Sequence, residues 1–473
     1  MVLKNINHSF SYRTLKIATM FFPLEKIRSE GEDEITVTAE QRENVLHVTA
    51  QVYSRYLEAQ HRAEAGEDMA MAISLLLYHV LAEITGFRPP WGVLYGVRPA
   101  RLMHAKTDAL GKEGAAEFFR ESLVTEPKIR LAQEVMESEN TIIALSRANS
   151  FSLYVSIPFC PSRCSYCSFV SHSVASAAAL IEPYVDLLCR ELAAKGRVAA
   201  ALGLRLETVY FGGGTPTTLS AAQLDRVLRA VEESFDLSQL REFTVEAGRP
   251  DTVTPEKLAV LKAHGVGRIS INPQTFSDEV LKNIGRRHTV KQVYDAFEMA
   301  RRQGFDNINM DLIAGLSGDT LASFRHSVDS AVALGAESVT VHNLALKTAS
   351  YLVTESEFFN NDHKYLTADM IDYSAETLRA SGYKPYYMYR QSKSLGNLEN
   401  CGWSKDGYDC LYNVFMMDET HSVFAAGAGA VTKLVDRPGG RIERIYNYKY
   451  PYEYNDGFEE VLRRTESIAE FYK

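Results

Sequence analysis

Three of the six cysteines fall within eight residues, as Cys160, Cys164 and Cys167, with the spacing C-x3-C-x2-C. A structural zinc site is usually closed by four ligands, and a bacterial ferredoxin cluster uses four cysteines at a different spacing. Three thiolates from one short loop instead suit a [4Fe–4S] cluster in which one iron stays open to a small-molecule ligand. The spacing therefore predicts that these three cysteines are metal ligands.

A glycine-rich segment, Gly-Gly-Gly-Thr-Pro at residues 212–216, follows a short apolar run that is typical of a strand. Glycines without side chains let backbone N–H and C=O groups approach a ligand closely. The segment lacks the Lys-Ser/Thr of a P-loop and the spacing of the dinucleotide fingerprint, so it supports neither. Next to a cysteine loop one strand earlier, it indicates a second wall of the same ligand site.

Elements that could position these loops alternate from Leu153 onward between short β-runs and amphipathic helices. Such alternation predicts a parallel α/β array, either a barrel or a doubly wound sheet, with ligands at the carboxyl ends of the strands. The predicted strands are Leu153–Ile157, Thr208–Phe211, Glu242–Glu246, Arg268–Asn272, Asn307–Asp311 and Ser338–Leu344. The predicted helices are Leu180–Lys195, Ala221–Ser234, Pro255–His264, Val290–Gln303 and Leu321–Leu334.

The cysteine spacing, with Tyr166 before the last cysteine and Gly-Gly-Gly-Thr-Pro one strand later, resembles the radical S-adenosylmethionine enzymes. More narrowly, Tyr-x-x-Ile-Pro-Phe-Cys (154–160) resembles the oxygen-independent coproporphyrinogen III dehydrogenase family. The resemblance covers about residues 150 to 350 well and 380 to 435 loosely. It implies an α/β fold: a partial (β/α)6 radical-SAM barrel over 146–347, an N-terminal α+β extension of unknown role over 1–145, and a C-terminal α+β domain over 348–473 that contributes to the substrate cavity.

The resemblance also implies which residues hold the cofactors. Cys160, Cys164 and Cys167 would bind the cluster, whose open iron is chelated by S-adenosylmethionine. The residues implied to hold this S-adenosylmethionine are Tyr154, Gly213 and Glu246. Those that fall where the family contacts a second S-adenosylmethionine are Tyr166, Gly214, Thr215, Gln274, Arg286, Asp311 and Ala345.

The activity implied by the resemblance is oxidative decarboxylation of two propionates of coproporphyrinogen III to vinyl groups, giving protoporphyrinogen IX. A deoxyadenosyl radical would abstract hydrogen from the propionate β-carbon, and an electron donor such as flavodoxin or ferredoxin would reduce the cluster. Two alternatives stay open: a heme-binding chaperone or carrier, and a heme-degrading radical-SAM methyltransferase. The run Ile284–Thr289 resembles the heme chaperones. Propionates call for cationic partners, and the candidates are Arg98, Arg163, Arg286 and Arg390.

Composition sets the broad class. The chain has 473 residues, 46% of them hydrophobic and 23% charged, which predicts a globular protein of two or three domains. A net charge of −9 argues against a non-specific nucleic-acid binder. The longest uncharged apolar run, Met69–Ala82, is too short to span a bilayer, and no signal peptide is recognisable. Six cysteines are too few for a disulfide framework in a chain of this length, so we expect a cytoplasmic protein. Because a cluster that solvent can reach is sensitive to oxygen, we also expect a preference for low oxygen.

Three flanking segments also carry structural expectations. Met69–Thr85 reads as a buried helix that ends at Gly86. Arg98 and Arg101 either present charge to an anion or pack between domains, and packing is favoured. Five alternating tyrosines between Tyr446 and Tyr454 predict an extended strand with its rings on one face.

Overall fold

The computed structural model describes residues 1–23, 25–96, 98–167, 171–345, 363–391, 393–437 and 439–473, with only the backbone of 363–365. The predicted domain boundary at 347 lies outside these residues. No helix in the described ranges is both long enough and apolar enough to cross a bilayer. No disulfide joins any of the six cysteines, all of which are described.

The N-terminal part is a four-stranded sheet covered by two helices. Apolar residues alternate along its second and third strands, so that one face is buried against the helices. Asp68 caps the second helix by accepting hydrogen bonds from the N–H groups of Ala70 and Met71, and the left-handed Gly86 ends it as predicted. The elements are β1 (Val2–Ile6), α1 (Ser11–Phe21), β2 (Ile35–Arg42), β3 (Val45–Val52), β4 (Arg55–Arg62) and α2 (Met69–Thr85), with the strands in numerical order.

Two further helices, α3 (Pro99–Glu121) and α4 (Glu126–Ile143), connect this part to the main sheet. A buried ion pair joins α4 to that sheet, because Lys128 Nζ lies 2.8 Å from Glu399 Oε1. Trp91 donates its indole N–H to the other oxygen of Glu399 at 2.7 Å. A buried carboxylate without partners would destabilise the fold, and these two contacts satisfy both of its oxygens. Because Lys128 and Trp91 lie outside the main sheet, the contacts also fix their segments against it.

Six parallel strands form the centre of the molecule in the order β5-β8-β9-β10-β11-β12, with helices between them. All six predicted strands are present, and the fold is a partial (β/α)6 barrel. The elements are β5 (Ser150–Ile157), β6 (Phe159–Cys160), β7 (His172–Ser173), α5 (Val174–Ala201), β8 (Arg205–Gly213), α6 (Ala221–Ser234), β9 (Glu242–Glu246), α7 (Pro255–Ala263), β10 (Arg268–Ser270), α8 (Asp278–Asn283), α9 (Val290–Arg302), β11 (Ile308–Ala314), α10 (Leu321–Ala333) and β12 (Ser338–Asn343).

The C-terminal part is α+β, and its strands extend both edges of this same sheet. One strand pairs in parallel with β5, and another pairs antiparallel with β12. The division of the chain at 145 and 347 stays a prediction. The elements are α11 (His363–Ala380), β13 (Lys384–Arg390), β14 (Glu399–Ser404), α12 (Leu411–Asp418), β15 (Ser422–Ala426), β16 (Val431–Asp436), β17 (Arg441–Tyr446), α13 (Pro451–Asp456), α14 (Phe458–Glu466) and α15 (Ile468–Phe471).

The predicted tyrosine strand is wrong. β17 ends at Tyr446, and α13 begins at Pro451, whose fixed φ suits the first helical turn. Tyr446 is exposed and Tyr454 is fully buried, so the rings do not share one face.

Arg98 and Arg101 both form ion pairs with Glu419, which supports their packing role. The ion pair occupies Arg98, which the sequence offered as a candidate partner for propionates.

Candidate active site

The cysteine loop begins where β5 ends and is held by contacts from two other loops. Ser165 N donates to Ile284 O at 3.0 Å, and Ser162 Oγ donates to Gly285 O at 3.1 Å. The buried guanidinium of Arg249 donates to Ser162 O at 3.2 Å and points a further N–H toward Cys164 Sγ at 3.6 Å. These contacts order the loop and bring a positive charge to its sulfur atoms.

The glycine segment packs directly on this loop. Gly214 N donates to Ile157 O, and Thr215 N donates to Phe159 O, each at 2.8 Å. A Cβ at Gly214 would lie 2.6 Å from Phe159 O and 3.0 Å from Cys160 Sγ, so only glycine fits there. Gly213 has a φ of 106°, a conformation that also favours glycine. The segment thus forms the wall beside Cys160 that its position in the sequence predicted.

A cavity of about 310 Å³ lies at the carboxyl end of the six parallel strands. It falls in the size range of small-molecule sites. All the predicted site residues except Tyr154 line it: Cys160, Cys164, Cys167, Tyr166, Gly213, Gly214, Thr215, Glu246, Gln274, Arg286, Asp311 and Ala345. Their individual roles toward a cofactor stay predictions, but their convergence on one cavity is a property of the fold.

Glu246 ends β9 and faces the cavity. The hydroxyl of Tyr210 donates to Glu246 Oε1 at 2.6 Å. Burial raises the pKa of Glu246 to about 7, although the hydrogen bond from Tyr210 lowers it. A carboxyl in this state is poised to bind a cationic or hydroxyl-bearing ligand.

Gln274, Arg286 and Tyr166 form one hydrogen-bonded group in the wall of the cavity. The Tyr166 hydroxyl donates to Gln274 Oε1 and accepts from Arg286 Nη2, each at 3.3 Å. Arg286 Nη1 also donates to Asn272 O at 2.7 Å. Gln274 lies four residues after the end of β10 with a φ of 68°, rather than directly at a strand end. Its backbone pairs with β11, which holds its side chain at the cavity.

Asp311 lies in the middle of β11 and not at its end, yet it reaches the cavity. Asn309 Nδ2 donates to Asp311 Oδ1 at 2.8 Å, and His342 Nε2 lies 3.7 Å from Asp311 Oδ2. Burial opposes ionisation, but His342 and Asn309 together lower the pKa of Asp311 below its ordinary value. The carboxylate is therefore held ionised for polar contacts with a ligand.

Tyr154 does not line the cavity. Its ring stacks on the rings of Tyr210 and Tyr412, with centroids 6.2 and 6.1 Å away. A direct contact between Tyr154 and S-adenosylmethionine stays a prediction. The ring instead supports Tyr210, which binds Glu246.

Sequence reasoning missed several polar lining residues because each depends on strand order rather than on a motif. The added set is Arg249, Arg268, Asn272, Asn309, His342, Asn343, Tyr387, Tyr389, Asn400 and Asn413. One signal was available: His342 and Asn343 close β12, and polar residues at the carboxyl end of a buried parallel strand are typical of ligand sites.

The residues around the cysteines fit a cluster. Burial raises the pKa of the Cys160 thiol, whereas the Thr215 hydroxyl, 3.5 Å from its sulfur, lowers it. Bound iron would deprotonate such thiols outright. Within the described ranges, no three His, Cys, Asp or Glu side chains are arranged to hold a single metal ion. A [4Fe–4S] cluster makes a different demand, because each of its thiolates binds a separate iron.

A partial barrel with a three-cysteine loop after its first strand and a glycine loop after its second is the arrangement of radical S-adenosylmethionine proteins. The family model described as the radical SAM superfamily matches residues 154–331. The chain is 36% identical to the oxygen-independent coproporphyrinogen-III oxidase-like protein HemZ of Bacillus subtilis, over 99% of this chain and 98% of that protein. It is 35% identical to the heme chaperone HemW of the same species, over 59% of this chain and 70% of HemW.

Among solved structures, the coproporphyrinogen III oxidase HemN of Escherichia coli aligns with a TM-score of 0.53 and 23% identity, covering 68% of this chain and 71% of HemN. That likeness supports the shared fold. The chain therefore belongs to the radical SAM superfamily and, within it, to the family of oxygen-independent coproporphyrinogen-III oxidase-like proteins. As a member, it uses a [4Fe–4S] cluster and S-adenosylmethionine.

Proposed function

We propose that the protein oxidatively decarboxylates propionate side chains of a porphyrinogen, with coproporphyrinogen III as the substrate. Each reaction removes one hydrogen atom from the propionate β-carbon, releases CO2 and one electron, and leaves a vinyl group. When bound, the cluster and S-adenosylmethionine supply the carbon-centred radical that takes the hydrogen. Cys160, Cys164 and Cys167 would hold the cluster.

The observation that supports this proposal is the composition of the large cavity. Tyr387 and Tyr389 both line it, and their rings stack with centroids 6.3 Å apart. Arg268 and Arg286 bring two positive charges to the same cavity. Aromatic faces suit a flat macrocycle and guanidinium groups suit carboxylates, so both features fit a tetrapyrrole that carries propionates.

The chain's own residues would orient the reactants and exclude water. Glu246 would bind the ammonium or ribose groups of the cluster-bound S-adenosylmethionine. The remaining predicted residues would bind a second molecule of S-adenosylmethionine or the substrate itself. These residues are Tyr166, Gly214, Thr215, Gln274, Arg286, Asp311 and Ala345. Holding the β-carbon close to the radical matters because a misplaced C–H bond sharply lowers the rate.

The test is an anaerobic assay with coproporphyrinogen III, S-adenosylmethionine, dithionite and an electron acceptor. We expect vinyl products and CO2, with the monovinyl intermediate appearing before the divinyl product. The Cys164→Ala variant should bind less iron and lose cofactor cleavage. Cofactor cleavage by wild-type protein without any vinyl product would contradict the decarboxylase proposal, because it would separate the radical chemistry from this substrate.

The second candidate is a heme carrier that keeps the cluster. It is favoured by the similarity to HemW, which is named a heme chaperone, and by the HemW-like run Ile284–Thr289. Gly285 and Ile284 hold the cysteine loop, so that run has a structural role whichever function is correct. Stoichiometric, tight heme binding together with an absence of vinyl product would support the carrier over the decarboxylase.

A further inference from the structure

A second, smaller cavity of about 40 Å³ lies between the N-terminal part and the segment that follows β13. Lys16 of α1 contributes one wall, and Arg390 and Lys393 contribute the other. Within the described residues no Asp or Glu lines it, so three positive charges share the cavity without a carboxylate among its lining side chains. Such a site favours negative charge.

Arg390 is the central donor of this cavity. It is 3% exposed, and its guanidinium lies over the ring of Trp91 with Cζ 5.4 Å from the centroid. Nη1 donates to Leu94 O at 2.7 Å and contacts Gly96 O at 3.4 Å. Nε and Nη2 are buried and have no hydrogen-bond partner in the described structure. Leaving two nitrogens of a buried guanidinium without an acceptor is costly unless a ligand accepts from them.

Asn397 supplies a second unsatisfied donor. It lines the same cavity, and its Nδ2 is buried without a hydrogen-bond partner in the part of the chain that the structure describes. Glu399 is the nearest carboxylate to act on Arg390, but its two oxygens are already engaged by Lys128 and Trp91. The open groups of the cavity are therefore donors, which exclude a cation and fit the oxygens of an oxyanion.

The small cavity and the large one share a lining residue. Gln391 lines both, and the segment after it is fixed to the rim of the barrel because Leu395 N donates to Leu344 O at 3.0 Å. Leu344 itself lines the large cavity. An acidic side arm of a molecule bound in the large cavity would thus meet these donors past Gln391.

We propose that Lys16, Arg390, Lys393 and Asn397 form an oxyanion subsite that binds a carboxylate arm of the molecule held in the large cavity. Its volume suits one carboxylate group. The subsite gives the N-terminal extension a role in ligand binding through Lys16. The identity of the arm as a propionate rests on the proposed function, whereas the oxyanion chemistry does not.

Asn397→Asp is the decisive variant, because it replaces the unpaired amide donor by a carboxylate of the same shape. Asp also tolerates the positive φ of 56° at this position. Its own negative charge would occupy the subsite and repel an incoming anion. Asn44→Asp, at an exposed position that lines neither cavity, is the matched control.

Two binding measurements test the subsite without turnover. First, sodium propionate or inorganic phosphate at constant ionic strength should raise the melting temperature of wild-type and Asn44→Asp protein saturably, but not that of Asn397→Asp. Second, wild type should bind coproporphyrin III about tenfold or more tightly than its tetramethyl ester, and Asn397→Asp should lose that preference. Lys16→Gln should weaken it in part, while Lys4→Gln should leave it unchanged.

The outcomes separate the subsite from the proposed function. If neither porphyrin binds but propionate still stabilises wild type selectively, the oxyanion subsite is supported and the tetrapyrrole proposal fails. If porphyrin binds and Asn397→Asp keeps the full preference for the free acid, the assignment to a carboxylate arm is overturned even where phosphate binds. Equal responses of all variants to every anion would overturn the subsite itself.

Discussion

The guanidinium of Arg249 lies against the cysteine loop, and the cysteine motif gives no sign of this contact. Its N–H groups reach Ser162 and the sulfur of Cys164 from within a buried position. Hydrogen bonds and positive charge near cluster sulfurs stabilise the reduced, more negative state. We therefore expect Arg249 to affect how readily the cluster accepts an electron, in addition to ordering its loop.

Replacing Arg249 by Met should lower the midpoint potential of the bound cluster by about 60 mV or more. A charge-assisted hydrogen bond contributes about 1.5–3 kcal/mol, and 59 mV corresponds to about 1.4 kcal/mol for one electron. Redox titration followed by electron paramagnetic resonance measures the shift. Arg229→Met, which removes an exposed guanidinium of α6, is the control. An unchanged potential in a variant with full iron content would refute this role.

Glu246 should destabilise the ligand-free fold at alkaline pH. Its pKa rises from 4.5 to about 7, so the folded state holds the proton more tightly than the unfolded chain. Stability is then lost as the pH rises from about 4.5 through 7. Glu246→Gln should be more stable than wild type at pH 8 by about 1–3 kcal/mol, with cavity water reducing the effect.

The same Glu246→Gln variant should bind S-adenosylmethionine more weakly at pH 8, because it lacks the carboxylate. Thermal unfolding at pH 5 and 8, with and without the cofactor, measures both effects. A stability difference between the two proteins that does not change with pH would show that ionisation of Glu246 is not its cause.

At the level of elements, we expect the cysteine loop to depend on the close contact between the glycine segment and β6. Gly214→Ala should reduce iron incorporation at least by half. The added Cβ would push Phe159 and Cys160 away from the glycine segment by a few tenths of an ångström or more, which displaces a cluster ligand. Gly267→Ala is the matched control, since a Cβ there meets nothing within 4 Å. Iron and sulfide analysis after anaerobic reconstitution compares them, and equal cluster content would contradict the steric argument.

The six barrel strands could be predicted because each is a short apolar run between amphipathic helices. The strands that extend the sheet could not, because β14 and β15 pair with partners far away in the sequence. The tyrosine ladder failed for a local reason: Pro451 starts a helix where alternation alone suggested a strand. Periodicity reports which residues can share a face, but not whether the backbone stays extended.

The site residues also divide into those that belong to local motifs and those whose position depends on the order of the strands. Cys160 and Gly214 carry their chemistry in local motifs, so the sequence predicted both. Arg249 and His342 come to the cavity only through the order of β9 and β12 in the sheet. The sequence offered Arg390 only as one of four candidate partners for propionates, and no motif places it in one cavity with Asn397 and with Lys16 of α1.

For the whole molecule, the N-terminal sheet has a hydrophobic core separate from that of the barrel. The core extends from Met1 to Val93 and includes buried residues of β1, β2, β3, α1 and α2. The strand β4 contributes no fully buried residue to it, but Leu57 and Ala59 of β4 pack against it. A segment of this size can bury enough apolar surface to fold by itself.

We therefore expect the fragment of residues 1–96 to fold without the rest of the chain. Its circular dichroism should show a mixed α/β spectrum and a cooperative thermal transition. Val48→Asp, which places a charge in the buried face of β3, should abolish that transition. A fragment that is unfolded while the full-length protein is stable would mean that this part depends on the barrel.

The position of β5 in the sheet has a consequence for biosynthesis. One edge of β5 pairs with β8, which is made soon afterwards, but the other edge pairs with β15, whose residues end at Ala426. A ribosome adds about 5–20 residues per second, so this edge stays unpaired for many seconds after β8 has formed. An open strand edge beside three thiols invites aggregation and oxidation. From this topology we expect the cluster to be inserted after β15 has paired with β5, and a chaperone to cover the open edge until then.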